Sequence, residues 1–108
     1  MKLVISEAAQ ADLSHIYAFL YDRNESAAER FGAAVEKALD LLAMHPEIGP
    51  KPGWTTRHTH LRFWVISQFN NYLIFYELRP GEISIERILD GRRDIREVLE
   101  NEKINPEE

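Results

Sequence analysis

Two arginines sit inside runs that otherwise read as strands: Arg62 in THLRFWVIS and Arg87 in EISIERIL. A guanidinium offers five N–H donors in a planar fork, which suits two-point contact with a phosphate or a carboxylate. Set among core-facing neighbours, such a group needs an acidic partner or an opening to water. Because they lie in different strands, Arg62 and Arg87 can converge on the open face of a single sheet as an anion clamp. The structural alternative ties them to Glu77, Glu86 or Asp90. His58 and His60 are the nearest proton carriers, since histidine titrates close to neutral pH. A solvated loop edge fits them better, because both lie beside a Pro/Gly-rich segment. Their H-x-H spacing comes with no further clear ligand, so neither a metal nor any other cofactor is expected.

A second basic feature is denser. Arg92, Arg93 and Arg96 open the segment GRRDIREVLENEK, where they can present a binding surface or pair along a helix with Asp94, Glu97 and Glu100. Tyr17, Phe19 and Tyr21 give more aromatic surface than one buried stripe can hide, which suits an amphipathic partner helix lying in a shallow groove. Trp54 and Trp64 are core residues or interface anchors.

These side chains need a scaffold, and 108 residues make one domain with a single hydrophobic core, spanning residues 1–108. Cysteine is absent, which excludes disulfides and thiolate ligands and makes a reducing cytoplasm the default. No apolar run approaches the roughly 20 residues a bilayer requires, and Met1 to Ala9 lacks a signal peptide's zones. The formal net charge of -5 is segregated. Residues 1–50 carry four basic and eight acidic side chains, residues 51–96 eight and five, and residues 97–108 one and five. An acidic total argues against indiscriminate nucleic-acid binding, while leaving a local basic surface in the second half.

The unbroken run Tyr72 to Tyr76 is too short for a helix and rich in strand formers, so it reads as a central strand covered on both faces. Arg79, Pro80 and Gly81 supply a turn into a last strand, Glu82 to Leu89. There strict alternation puts Ile83, Ile85, Arg87 and Leu89 on one side, with Ser84, Glu86 and Ile88 on the other. MKLVI is a short first strand. Ser6 can cap a helix from Glu7 to Asp22 with Ala9, Leu13, Ile16, Tyr17 and Leu20 as its stripe and Asp12, His15 and Asp22 on a solvated outer face.

Ser26 and Glu29 have capping-box spacing, which predicts a second helix over Ala27 to Met44, antiparallel to the first. Its small residues Ala27, Ala28, Gly32, Ala33, Ala34 and Ala38 allow close approach. Pro46 ends it, and Glu47 to Arg57 is loop. Thr59 to Ser67 is the next strand, with Leu61, Phe63 and Val65 on one face and His60, Arg62, Trp64 and Ile66 on the other. The order β, α, α, β, β, β, α predicts an α+β fold: an antiparallel sheet backed on one face by helices. The first strand returns beside the last or the central one to complete a four-stranded sheet, and a short C-terminal helix closes the chain.

Taken in order, A-x-x-D-L-x-x-I-Y at Ala9 to Tyr17, A-x-x-F at Ala28 to Phe31, L-L-A-x-x-P-x-I-G at Leu41 to Gly49, L-R at Leu61 and Arg62, Y-L-I-F-Y at Tyr72 to Tyr76 and I-x-R-I-L-x-G-R-R-D at Ile85 to Asp94 cover nearly the whole chain. This pattern resembles the ParE/RelE superfamily of bacterial toxins from type II toxin-antitoxin pairs, and the ParE branch more than the RelE branch. The resemblance implies a growth-inhibiting toxin of the plasmid-stabilising kind, neutralised by a cognate antitoxin that wraps the helical hairpin and sheet in a hetero-oligomer. Tyr17, Phe19, Tyr21, Trp54 and Trp64 are the candidates for that contact.

For the ParE branch the implied target is DNA gyrase, poisoned by binding, with Arg62, Arg87, Asp90, Arg92, Arg93 and Arg96 as the candidate contacts. For the RelE branch it is messenger RNA on the ribosome, cut by 2'-hydroxyl attack. That reaction needs a base, cations for the charge developing at phosphorus and an acid for the leaving oxygen, which would fall to Arg62, Arg87 and His60 or His58. Asp90 departs from the pattern, standing where similar members often carry histidine. With an acidic envelope around it, this points toward inhibition by binding; the nuclease, or a non-toxic member kept for antitoxin binding, is the alternative.

Overall fold

The computed structural model describes residues 1–53, 60–93, 95, 98 and 99. Strand β1 (Lys2–Ile5) leads into helices α1 (Glu7–Arg23) and α2 (Glu25–Met44), followed by β2 (Leu61–Val65), β3 (Tyr72–Arg79) and β4 (Glu82–Asp90). The strands form one sheet in the order β1-β4-β3-β2. β3 is an inner strand, as its apolar run requires. β2, β3 and β4 are an antiparallel meander, whereas β1 runs parallel to β4, so the sheet is mixed rather than wholly antiparallel. Between β1 and β4 lie both helices, β2 and β3, a connection long enough to permit the parallel sense.

Ser6 caps α1 as its sequence position predicts. Its Oγ accepts from the Ala9 N–H at 3.0 Å and donates to the Glu86 carbonyl at 2.8 Å, joining the helix start to β4. The start of α2 differs from the Ser26–Glu29 expectation. Asn24 is the cap, its side-chain oxygen accepting from the Ala27 N–H at 3.1 Å. Asparagine is as good a cap as serine and stands two residues earlier, so the helix begins at Glu25. Gly32 and Ala33 are exposed and an added Cβ on Gly32 would meet nothing, so close helix approach does not use them. Ala28 and Ala38 are the small residues that are buried.

One face of the sheet, carrying Tyr72, Ile74, Tyr76, Ile83, Ile85 and Ile88, packs on Ala9 of α1 and on Phe31, Val35, Ala38 and Leu42 of α2. Burial of each large side chain here contributes about 1.5–3 kcal/mol before entropy is counted. The opposite face is covered too. Leu61 and Phe75 pack with Ile95 and Leu99, which have helical backbone. The expected C-terminal helix otherwise lies outside the described residues.

Strict alternation fails in β4 for a specific reason. Phe75 stands opposite Arg87 but Tyr76 opposite Ile85, so Glu86 is the extra residue in the β4 register. Such a bulge reverses which face the following side chains take. Ile83 and Ile85 thus share the helix-facing side with Ile88, while Arg87 and Leu89 pass to the other.

Candidate functional site

The register decides where the two strand arginines go. Arg62 is paired with Tyr76, on the helix-facing side, and Arg87 is paired with Phe75, on the opposite side. They do not converge on one open face, and the shared anion clamp expected from the sequence is not formed. The far face is not open either, since Ile95 and Leu99 lie on it.

Each arginine is engaged within the chain. Arg62 donates through Nη1 to the carbonyls of Glu47 and Gly49, at 3.1 and 2.8 Å. It thereby holds the segment after α2 against β2, where the Phe63 N–H also donates to the Pro50 carbonyl at 3.0 Å. Tyr76 completes this anchor: its buried hydroxyl donates to the Pro46 carbonyl at 2.8 Å and accepts from the Gly49 N–H at 2.9 Å. Burial raises the Tyr76 pKa above its ordinary value, with the Gly49 N–H and Arg62 acting the other way. Gly49 is required here, because a Cβ would run into the Phe63 carbonyl and the Tyr76 ring. The P-x-I-G pattern is therefore a packing motif.

Arg87 is bound by Asp12, not by Glu77, Glu86 or Asp90. Its Nε and Nη2 lie 2.7 and 2.9 Å from the two Asp12 carboxylate oxygens, with both side chains largely buried. Asp12 also accepts from the Ile88 N–H at 2.9 Å. β1 pairs with β4 only as far as Ile85. Beyond it the edge of β4 would present bare backbone groups; Ser6, at the cap of α1, donates to the Ile85 and Glu86 carbonyls, and Asp12 within α1 accepts from the Ile88 amide. Sequence periodicity placed Asp12 on a solvated face. That assignment fails because a helix docked on a strand edge makes use of its polar flank as well as its apolar stripe.

The acids proposed as partners serve another arginine. Arg79 Nη2 meets Glu86 Oε2 at 3.1 Å and its Nε meets Glu77 Oε1 at 3.4 Å, while Ser84 Oγ donates to Glu86 Oε2 at 2.7 Å. Arg79, assigned only to a turn from the sequence, was missed; the signal was its position two residues after Glu77 in a strand, on the same face.

At the end of β4, Asp90 accepts from the Arg92 backbone N–H, Nε and Nη2 at 2.9, 3.0 and 2.7 Å. These hydrogen bonds from Arg92 hold the Asp90 carboxyl below its ordinary pKa, with the charge of Arg93 adding to them. Asp90 is thus an acceptor that folds Arg92 back, while the exposed Arg93 carries no side-chain ion pair among the described residues. His60 is exposed ahead of β2. His58, Trp54 and Arg96 lie outside the described residues. Among the described residues no cluster of three or more His, Cys, Asp or Glu side chains could hold a metal ion, and no helix is long and apolar enough to cross a membrane.

The aromatic residues of α1 remain outward. Tyr17, Phe19 and Tyr21 are each more than two-fifths exposed, so Tyr17 does not join the buried stripe. Tyr17 and Tyr21 stack with centroids 6.1 Å apart, and the Arg23 guanidinium lies 3.7 Å over the Phe19 ring. Trp64 packs against the helix-facing core.

A family model described as the ParE toxin of type II toxin-antitoxin systems matches residues 3–95. The chain belongs to the ParE toxin family. Among curated ParE/RelE toxins it is similar to Toxin RelE1 of Caulobacter vibrioides, 32% identical over 89 residues that make up 82% of this chain and 91% of the relative. Its fold resembles a chain from the chromosomal ParDE toxin-antitoxin system of P. aeruginosa, with a TM-score of 0.61 at 19% identity, covering 83% of this chain and 95% of that one. The ParE-type resemblance and the α+β fold read from the sequence both stand.

Proposed function

We propose that this ParE-family toxin arrests growth by binding DNA gyrase in the cytoplasm, without cutting a substrate, and that a cognate antitoxin holds it inactive in a hetero-oligomer. The observation that supports the reading is the placement of Arg62 and Arg87 on opposite faces, one tied to backbone carbonyls and the other to Asp12. A phosphoryl transfer site needs cations that converge on one phosphorus. What the second half offers instead is a rim at the end of β4, where the exposed Arg93 stands beside the Asp90–Arg92 pair. A basic rim of this kind suits contact with an acidic protein surface more than a grip on a polyanion, given the net charge of -5. An antitoxin partner is supported by the family and by the P. aeruginosa structure being of a ParDE system.

The nuclease reading draws on the RelE name of the Caulobacter relative. It would require Arg87 to leave Asp12 and act with Arg62 and His60 on messenger RNA. Induction of the toxin without its antitoxin, scoring plasmid topology and transcript integrity together, separates the two. Lost supercoiling with intact transcripts supports gyrase binding; transcripts cut at codon-defined positions with normal topology sinks it.

A further inference from the structure

The outer edge of β4 is occupied by β1 as far as Ile85, and then by Ser6 and Asp12 up to the Ile88 N–H. One rung beyond is vacant. Arg87 and Leu89 stand opposite Phe75 and Leu73, and the Ile88 N–H leaves by the outer edge to reach Asp12. Alternation therefore sends the Ile88 carbonyl and the Asp90 N–H out of that edge as well. Neither has a hydrogen-bond partner among the described residues. Backbone groups of an inner strand are ordinarily paired, with protein, water or a ligand.

Ile88 and Asp90 line a cavity of about 240 Å³ between α1 and the segment after β4. Its apolar wall is Ile16, Leu89, Ile95 and Val98. The two acids that line it are already engaged, Asp12 by Arg87 and Asp90 by Arg92. Arg93 is exposed and joins no side-chain ion pair among the described residues, and His15 is exposed on the α1 side. The mouth therefore offers a cation and a ring N–H with no acid left to compete for them.

We propose that this cavity captures the free C-terminus of a partner chain that ends in an aliphatic residue. In parallel pairing, one residue bonds to the two residues that flank its opposite number, as Ser6 donates to the Ile85 carbonyl at 3.0 Å. A terminal residue set opposite Leu89 donates its N–H to the Ile88 carbonyl, and its carboxylate accepts from the Asp90 N–H. Arg93 and His15 hold that carboxylate, and the aliphatic side chain fills the wall of Ile16, Leu89, Ile95 and Val98. The ladder stops there, because the Asp90 carbonyl already accepts from the Arg93 N–H at 3.1 Å. An incoming strand must end at this level, which is why the occupant is a chain terminus and not an internal segment. This site goes beyond the gyrase reading and does not depend on it.

The test titrates the full chain with the blocked tripeptide acetyl-Ala-Ala-Leu, bearing a free carboxylate, and follows the Asp90 amide by NMR. Saturable binding that shifts this amide is expected. The C-terminal amide of the same peptide, and the analogue N-methylated at leucine, are expected to bind at least about tenfold more weakly. Two variants place the site: His15→Glu at the mouth, and Val98→Phe, which fills the cavity. Each is expected to weaken binding at least about tenfold, with a melting temperature near wild type for His15→Glu. His15 lies across the cavity from the rim after β4, so its substitution separates this site from a target contact at Arg93.

An Asp90 amide that does not respond, a C-terminal amide that binds as well as the acid, or a His15→Glu chain with unchanged affinity overturns the proposal. So does 4-methylpentanoate binding as tightly as the tripeptide, which assigns the cavity to a small carboxylate instead. Inhibition of supercoiling is measured separately, and failure of this site leaves the gyrase reading standing.

Discussion

Asp12 on the first helix receives both forked N–H groups of Arg87 on the last strand, at 2.7 and 2.9 Å, and takes the Ile88 amide at 2.9 Å with the same carboxylate. One side chain therefore closes a strand edge, fixes α1 on the sheet and removes an arginine from the pool of groups available to an incoming phosphate.

Asp12→Ala removes the carboxylate that takes two hydrogen bonds from a largely buried guanidinium and one from the Ile88 amide. The cost is expected near 3 kcal/mol, the lower end for a buried pair broken on one side. Asp12→Asn keeps an acceptor for Ile88 and should lose less. Urea unfolding of the two variants checks the order; equal stability of wild type and Asp12→Ala would contradict the edge-closing role.

The Tyr76 hydroxyl is a two-sided anchor for the segment after α2. Tyr76→Phe strands the Gly49 N–H and the Pro46 carbonyl, an expected loss of about 1–3 kcal/mol. Gly49→Ala should be the more damaging change, because the obstruction includes the Phe63 backbone carbonyl, which has little room to move. Thermal melts ranking Gly49→Ala below Tyr76→Phe, and both below wild type, support this; a harmless Gly49→Ala refutes it.

Asp90 gives a pH dependence with a definite sign. Its folded pKa lies below the ordinary 3.8 because Arg92 hydrogen-bonds the charged form. Its contribution to stability is therefore present above the unfolded value and is lost as pH falls through the folded one. Arg92 is well exposed, so solvent screening keeps the effect small. The melting temperatures of wild type and Asp90→Asn should differ modestly at pH 6 and converge once the pH has fallen below the folded pKa of the carboxyl. A gap that persists unchanged into acid would assign the effect to something other than this ion pair.

Much of this fold is legible in the sequence because period and punctuation agree. The Tyr72 to Tyr76 run announces an inner strand, Pro80 and Gly81 a two-residue turn in which Gly81 takes a φ of 75°, and Ser6 a helix cap. What pattern cannot supply is register. The extra residue at Glu86 moves Arg87 to the other face, and no period-2 reading of EISIERIL places a bulge. The site suffered most from this, because its arginines were paired by proximity to acids along the chain. The carboxylate that holds Arg87 lies 75 positions away, on a helix flank that looked solvated.

If the rim after β4 is the target contact, Arg93→Glu should weaken inhibition while leaving the fold intact, since Arg93 is exposed and joins no ion pair among the described residues. At least a tenfold higher concentration for half-inhibition of gyrase is expected, about 1.4 kcal/mol of binding. Arg87→Ala should instead act through stability, with reduced melting temperature accompanying any loss of inhibition.

The most direct measurement of the central claim is DNA supercoiling by purified gyrase titrated with this chain alone. Supercoiling that is abolished at saturating toxin and restored by prior addition of the antitoxin is the predicted result. Full supercoiling at saturation, from a preparation that still arrests growth in cells, would contradict it.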